Sequence, residues 1–250
     1  MNLEDNLSAV RQEYLSRLLP SSLSGGGGLL DHVLSFVTSH PGKMLRPQLT
    51  ILAADTLGQA SSRRTLLLAT AVEMLHNASL LHDDIIDHSD TRRGEPSVNA
   101  RWNNSVAVLV GDFLLAQVMR ILHEINEPDT TRRVYQTVES MVQAELLQQE
   151  VTEFLSNQVS ESLNHSVTQS LSHSDTYLKI IDGKTARLFA TACALGNPEY
   201  EDFGLHYGRL FQLQDDLADG EANEYTEELI RQEKSTLAAI KPSLTIPNSN

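Results

Sequence analysis

The stretch TLLLATAVEMLHNASLLHDDIID, residues 65–87, decides the fold class. Its apolar residues recur at three- and four-residue spacing, the period of an α-helix. It then ends on three aspartates, Asp83, Asp84 and Asp87, with Arg92 and Arg93 a turn or two beyond. On a helix Asp83 and Asp87 stand at i and i+4, on one face and one turn apart, and Asp84 is rotated from Asp83 by roughly 100°. Ionised carboxylates so placed repel by about 0.2–0.5 kcal/mol per exposed pair, and by more at the end of an apolar run. Something must neutralise them. For this triplet alone two answers stand side by side: surface ion pairs with Arg92, Arg93 and water, or a bound cation.

The same helical period continues outward, for example in RRVYQTVESMVQAELLQQEVTEFL at 132–155. Alternating β patterns are almost absent. Prolines and glycines fall between the periodic blocks: Pro20, GGGG at 25–28, HPG at 40–42, Pro96, NEPD at 126–129 and GNP at 196–198. Pro47 suits the first turn of a helix. The pattern predicts an all-α chain of eight or nine helices and no sheet. The four glycines read as a flexible loop. The segment 156–175, rich in Ser, Asn and His, reads as a polar loop or weak helix. His165 and His173 there have no acidic or cysteine partners at ligand spacing.

The chain has 250 residues, enough to bury a core as a single domain over 1–250, and 40% of them are hydrophobic, as in globular proteins. A net charge of -14 argues against nucleic acid or an anionic membrane as the main partner, so an anionic ligand needs local cations or a metal. The one cysteine, Cys193, excludes an internal disulfide and sits in an apolar helical context, which predicts inert core. The acidic start MNLEDNLSAV is unlike a secretory or mitochondrial leader. The most apolar run, VAVLVGDFLLAQVMRIL, is broken by Gly111-Asp112 and predicts a core helix rather than a membrane span. A cytoplasmic protein is expected.

A second triplet answers the question the first one raises. FQLQDDLAD at 211–219 places Asp215, Asp216 and Asp219 in the same i, i+1, i+4 arrangement, again after a mostly apolar helical run. If the two helices pack around a common cavity, the triplets face each other there. Facing carboxylates suit magnesium, which takes a few carboxylates, waters and substrate phosphate oxygens. Magnesium then holds a phosphate or diphosphate, and arginines hold the rest of its charge. HPGKMLRP sets Lys43 and Arg46 beside a glycine just before a helix, like an anion site built from backbone amides. DGKTARLF puts Lys184 and Thr185 in a helix with apolar neighbours. Alone, Lys184 reads as a solvated lysine and His76 as a core or rim histidine.

The ordered set GKMLRP, EMLHNASLLHDDIIDHSDTRRG, DGKTA and FQLQDDLAD resembles the trans-isoprenyl diphosphate synthases, or polyprenyl synthetases, from about residue 40 to 219. The resemblance implies an all-α bundle around a central cavity, the isoprenoid synthase fold, usually a homodimer. It implies the condensation of isopentenyl diphosphate with an allylic diphosphate, using Mg2+. Carried over, Asp83, Asp87 and Asp215 bind magnesium, with Asp84, Asp216 and Asp219 in support. Arg92 and Lys184, with its neighbour Thr185, serve the allylic diphosphate, and Gln212 lies near it. Lys43, Arg46, His76 and Arg93 hold isopentenyl diphosphate, with Gly42 shaping the loop. Catalysis is then electrostatic stabilisation of a leaving diphosphate by metals and cations, with no protein nucleophile. The residues four and five positions before Asp83 are Ser79 and Ala78, both small, which implies a geranylgeranyl or longer product. Met74, Phe113 and Met119 are candidates for the wall beyond.

The chain departs from the family after the second triplet. EKSTLAAI resembles a contracted form of a later GKxT-like element, with Lys234 and Thr236 as its remnants, and the usual terminal helices are not apparent. A catalytically silent or regulatory subunit of a heteromer is therefore the rival expectation. A His-Asp phosphohydrolase would use His76, His82 and the first triplet, but leaves the second triplet and GKMLRP unexplained. A terpene cyclase would have no need of Lys43, Arg46 and Arg93.

Overall fold

A computed structural model describes residues 2–18, 27–39, 42–159, 174–220, 225–240 and 244. The segment 160–173 with His165 and His173, together with Pro20, Gly25, Gly26 and Pro41, lies outside the described residues. The chain is built as two compact units, Met1–Pro128 and Asp129–Asn250.

The first unit holds α1 (Leu3–Leu18), α2 (Leu29–Ser39), α3 (Leu45–Asp55), α4 (Arg63–Ile86), the short α5 (Val98–Arg101) and α6 (Asn104–Ile125). The opening stretch is α4. Ser62 caps it, its hydroxyl accepting from the backbone of Thr65. α4 is buried around most of its circumference, from Leu67 and Leu68 to Met74, Ala78 and Leu81. That is why its pattern is apolar nearly all round rather than a single stripe. It packs against α1, α3, α5 and α6. Gly111 allows the closest approach: a Cβ there would meet the His82 ring at 2.2 Å. α6 is long and apolar enough to cross a membrane by length and composition. Ala107, Val110, Leu114, Val118 and Ile121 are buried, as expected of a core helix, but Val108, Leu109 and Met119 are exposed.

The expectation of no sheet needs correction. Thr91–Arg92 and Glu95–Pro96 form a two-stranded antiparallel ribbon, pairing Thr91 with Pro96 and Arg92 with Glu95. The connecting residues Arg93 and Gly94 have φ of 54° and 80°. Two positive φ values in succession are what a type I′ hairpin turn requires. Strands of two residues carry no alternation for a sequence reading to detect.

The second unit holds α7 (Pro128–Val159), α8 (Ser174–Ile181), a π-helical turn (Asp182–Ala186), α9 (Arg187–Gly196), a 3-10 turn (Pro198–Tyr200), α10 (Glu201–Asp219) and α11 (Thr226–Ala239). α9 is its centre, buried from Leu188 to Gly196. Cys193 is fully buried there and burial pushes its thiol pKa far up, so it is inert core as expected. α10 lies close on α9, since a Cβ at Gly204 would sit 2.6 Å from the Phe189 carbonyl oxygen. Ile181, Leu213 and Ile230 join α8, α10 and α11 in one apolar cluster.

Candidate active site

The first aspartate motif sits where α4 runs out. Asp83 is half-buried, and Asp87 is exposed at the C-cap, its N–H donating to the Asp83 carbonyl. Asp84, rotated off that face, is only 3% exposed. Its Oδ1 accepts from Arg92 Nε at 2.9 Å and from Arg92 Nη2 as well. Asn99 Nδ2 donates to the Asp84 and Ser89 carbonyls at 3.3 and 3.1 Å, latching α5 onto the end of α4. The hairpin is thus what carries Arg92 back to Asp84.

Arg93, one residue on, points to a different place. A Cβ on Gly42 would lie 2.5 Å from Arg93 Nη2, so the guanidinium end of Arg93 lies close against the Gly42 backbone. Arg93 and Met44, the residue after Lys43, both hold left-handed backbone, with φ of 54° and 51°. Such conformations cost about 1 kcal/mol or more for non-glycine residues and concentrate at functional sites. Gly42, Met44, Glu73, Asn77 and Arg93 line an open cleft. A neighbouring cleft shares Val37, Asn77 and Arg93 and extends to Asp84 and Arg92. Lys43 is exposed, and its carbonyl accepts from Gln48 at 2.7 Å.

The electrostatics of this region are unusual for a helix interior. Glu73 is 5% exposed. Burial pushes its carboxyl pKa up, against the fields of Arg46, Arg93 and Arg11 and a hydrogen bond with Asn77. His76, one turn on, is held well below its ordinary pKa, first by burial and then by Arg46, Arg93 and Arg92. It is therefore a neutral imidazole at neutral pH. The predicted residues Gly42, Arg46, His76 and Arg93 come together; Glu73 and Asn77 are additions the sequence reading missed. An acid inside an otherwise apolar helix, four residues before an amide, was the available signal.

In the second unit the motif at 215–219 is built like the first. Asp215 and Asp219 are exposed, and Asp216 is 9% exposed. Asp216 accepts from Gln212 Nε2 at Oδ1, 2.7 Å, and from the Tyr177 hydroxyl at Oδ2. Thr185 Oγ1 donates in turn to Gln212 Oε1 at 2.7 Å. Lys184 and Thr185 lie on the π-helical turn rather than in a regular α-helix; such bulges are frequent at functional sites. Lys184 Nζ is 2.8 Å from Glu145 Oε2 and donates to Gln148 Oε1 at 3.1 Å, both on α7. Arg209 grips Asp182, at the start of the same turn, through Nε at 2.5 Å and Nη2 at 2.7 Å. Lys234 is exposed on α11, one residue after Glu233, whose Oε2 accepts from His206 Nδ1 at 2.6 Å. It takes no part in the Thr185–Gln212–Asp216 chain. Tyr177, Glu145 and Gln148 were not read from the sequence.

Among the described residues no group of three or more His, Cys, Asp and Glu side chains is gathered tightly enough to hold an ion. The donor chemistry still fits magnesium. Each motif presents two outward carboxylates at i and i+4, and hard oxygen donors of that number leave the remaining positions to waters and phosphate oxygens.

The family pattern Polyprenyl synthetase matches residues 28–241, across both units. The chain belongs to the polyprenyl synthetase family. An all-trans-nonaprenyl-diphosphate synthase (geranyl-diphosphate specific) of Rhodobacter capsulatus is 34% identical over 227 residues, 86% of this chain and 65% of that protein. Heptaprenyl diphosphate synthase component 2 of Geobacillus stearothermophilus is 33% identical over 87% of this chain and 64% of its own length. The chain thus spans about two thirds of the length of these polyprenyl synthetases. The crystal structure of a polyprenyl synthase from Caulobacter crescentus CB15, complexed with calcium and isoprenyl diphosphate, superposes with a TM-score of 0.71 at 30% identity. That match covers 88% of this chain and 64% of the other. The expected all-α isoprenoid synthase fold is therefore the fold of this family member.

Proposed function

We propose that this chain carries a magnesium-dependent prenyltransferase activity, condensing isopentenyl diphosphate with an allylic diphosphate to give a geranylgeranyl or longer polyprenyl diphosphate. The observation that carries the reading is the shared construction of the two motifs: an inward aspartate fixed by protein donors, and two outward aspartates at i and i+4. In this reading Asp83, Asp87, Asp215 and Asp219 hold the metal, while Asp84 and Asp216 anchor the helix ends. Bound magnesium would stabilise charge on the leaving diphosphate.

The chain's own groups do the rest. Arg92 and Lys184, each already paired with a carboxylate, lie beside the motifs as cations for the allylic diphosphate. Thr185 and Gln212 link Lys184's turn to Asp216. Lys43, Arg46 and Arg93 hold the second diphosphate, with neutral His76 as a hydrogen-bonding group. Ala78 is buried and Ser79 half-buried, neither bulky enough to stop elongation early. The length of product is supported by the relatives named for nonaprenyl and heptaprenyl products. The two units act together as one catalytic domain, as a homodimer in the cytoplasm; Val108, Leu109 and Met119 on α6 are an apolar face suited to self-association.

A second reading, a silent or regulatory subunit of a heteromer, is favoured by the relative named as component 2 of a heptaprenyl diphosphate synthase. Incubating the purified chain with labelled isopentenyl diphosphate, magnesium and allylic primers of increasing length separates the two: elongated product supports the synthase, and none from any primer supports the subunit.

A further inference from the structure

Four side chains tie α10 to its neighbours: His206, Arg209, Gln212 and Asp216. Their spacing of three, three and four residues sets them in one stripe along the helix. Gln212 and Asp216 have roles in the proposed site; Arg209 has none yet. Arg209 and Gln212 meet the π-helical turn at two points that are themselves three residues apart. Arg209 Nε and Nη2 donate to the two carboxylate oxygens of Asp182, and Gln212 Oε1 accepts from Thr185 Oγ1. Lys184 lies between those two points in the chain.

Asp182 also closes the turn through its backbone. Its carbonyl accepts from the Arg187 N–H, five residues on. That i to i+5 bond is what makes the turn π-helical. The residue gripped by Arg209 is thus the one that sets the width of the turn, and the turn sets where Lys184 projects. On its other side Lys184 Nζ reaches Glu145 and Gln148 of α7. A bidentate guanidinium–carboxylate pair fixes direction as well as distance. Arg209 is itself braced from α11. Glu233, 7% exposed, has Oε1 3.5 Å from Arg209 Nη1, and its Oε2 accepts from His206 Nδ1.

We propose that Arg209 is a positioning residue for prenyl transfer: through Asp182 it fixes the π-helical turn so that Lys184 and the aspartates at the end of α10 address the same allylic diphosphate. This rests on the allylic diphosphate role proposed above for Lys184. Arg209 touches no substrate and acts through the lysine.

Calorimetric titration of the full chain with geranyl diphosphate in magnesium, and separately with isopentenyl diphosphate, tests it. Arg209→Ala is expected to weaken geranyl diphosphate about tenfold, the effect of one charge-assisted contact, and to leave isopentenyl diphosphate unchanged. Arg209→Lys keeps the charge but loses the fork, so it should fall between and serves as the test if Arg209→Ala does not fold. In a Lys184→Ala background, Arg209→Ala should add no further loss, because a positioning residue acts only through the group it positions. If Arg209→Ala weakens both ligands alike, or adds its full loss to that of Lys184→Ala, Arg209 serves the fold alone and the proposal is overturned. If Arg209→Ala titrates like the parent while Lys184→Ala loses affinity, the allylic site stands and the role of Arg209 is wrong. If the parent does not bind geranyl diphosphate, the allylic site itself is wrong and the role of Arg209 falls with it.

Discussion

The hydroxyl of Tyr177, on α8, donates to Oδ2 of Asp216, 39 positions further along the chain in the second aspartate motif. With Gln212 on Oδ1, both oxygens of this buried carboxylate are held by protein donors. The motif's middle aspartate is thus an anchor, and its orientation sets where Asp215 and Asp219 project. Tyr177→Phe removes one hydrogen bond to a buried charged acceptor and should lower unfolding free energy by about 1.5–3 kcal/mol. The magnesium concentration for half-maximal activity should rise as well. Denaturant melts and a magnesium titration measure the two; a variant unchanged in both would show that Tyr177 does not hold the motif.

Arg92 plays the matching part for Asp84, whose side chain is 4% exposed against 39% for the arginine. Arg92→Ala strands a buried carboxylate and should cost on the order of 2 kcal/mol or more. Adding Asp84→Asn should recover much of that loss, because the amide has no charge to bury. If the double variant is as unstable as the sum of the singles, the pair is not coupled.

Gly183 holds the π-helical turn against α7. A Cβ there would lie 2.5 Å from the Ala144 Cβ and 2.8 Å from the Ser140 carbonyl oxygen. Gly183→Ala must push the turn away from the helix that carries Glu145 and Gln148. Overpacking of this kind costs about 1–3 kcal/mol. Affinity for the allylic diphosphate should fall too, as Lys184 leaves its partners. Thermal melts and primer KM values check both; a variant with parental values would mean the contact relaxes freely.

His76 gives a pH signature. Its folded pKa is well below the ordinary 6.5, so the unfolded chain binds its proton first as pH falls. Its contribution to stability is present above about pH 6.5 and is lost as pH drops below it, by up to about 1.4 kcal/mol per unit until the folded pKa is reached. Melts of the parent and His76→Gln from pH 7.5 to 5 should diverge, with the parent losing stability faster. Parallel curves would show that His76 takes up its proton as readily in the fold as in the unfolded chain.

Much of this was legible in the sequence. The three- and four-residue period of 65–87 gave α4 and placed the aspartates at its end, because burial on nearly all sides leaves an apolar run that only a charge can punctuate. GKMLRP and DTRRG were legible as anion-binding pieces, and they meet at Gly42 and Arg93. The hairpin that makes them meet was not, since two-residue strands have no period. The partners of the middle aspartates were also hidden. Tyr177 and Asp216 are distant in sequence, and nothing in a tyrosine's neighbours says that its hydroxyl is aimed at an acid.

The central claim is metal-dependent prenyl transfer, and a product assay tests it most directly. Purified protein is incubated with labelled isopentenyl diphosphate, magnesium and, in turn, dimethylallyl, geranyl, farnesyl and geranylgeranyl diphosphate, with Asp83→Ala as the control. A ladder of elongated products that needs magnesium, reaches geranylgeranyl length or beyond and vanishes in Asp83→Ala is the predicted result. A folded protein that binds magnesium and diphosphate yet elongates no primer would contradict it.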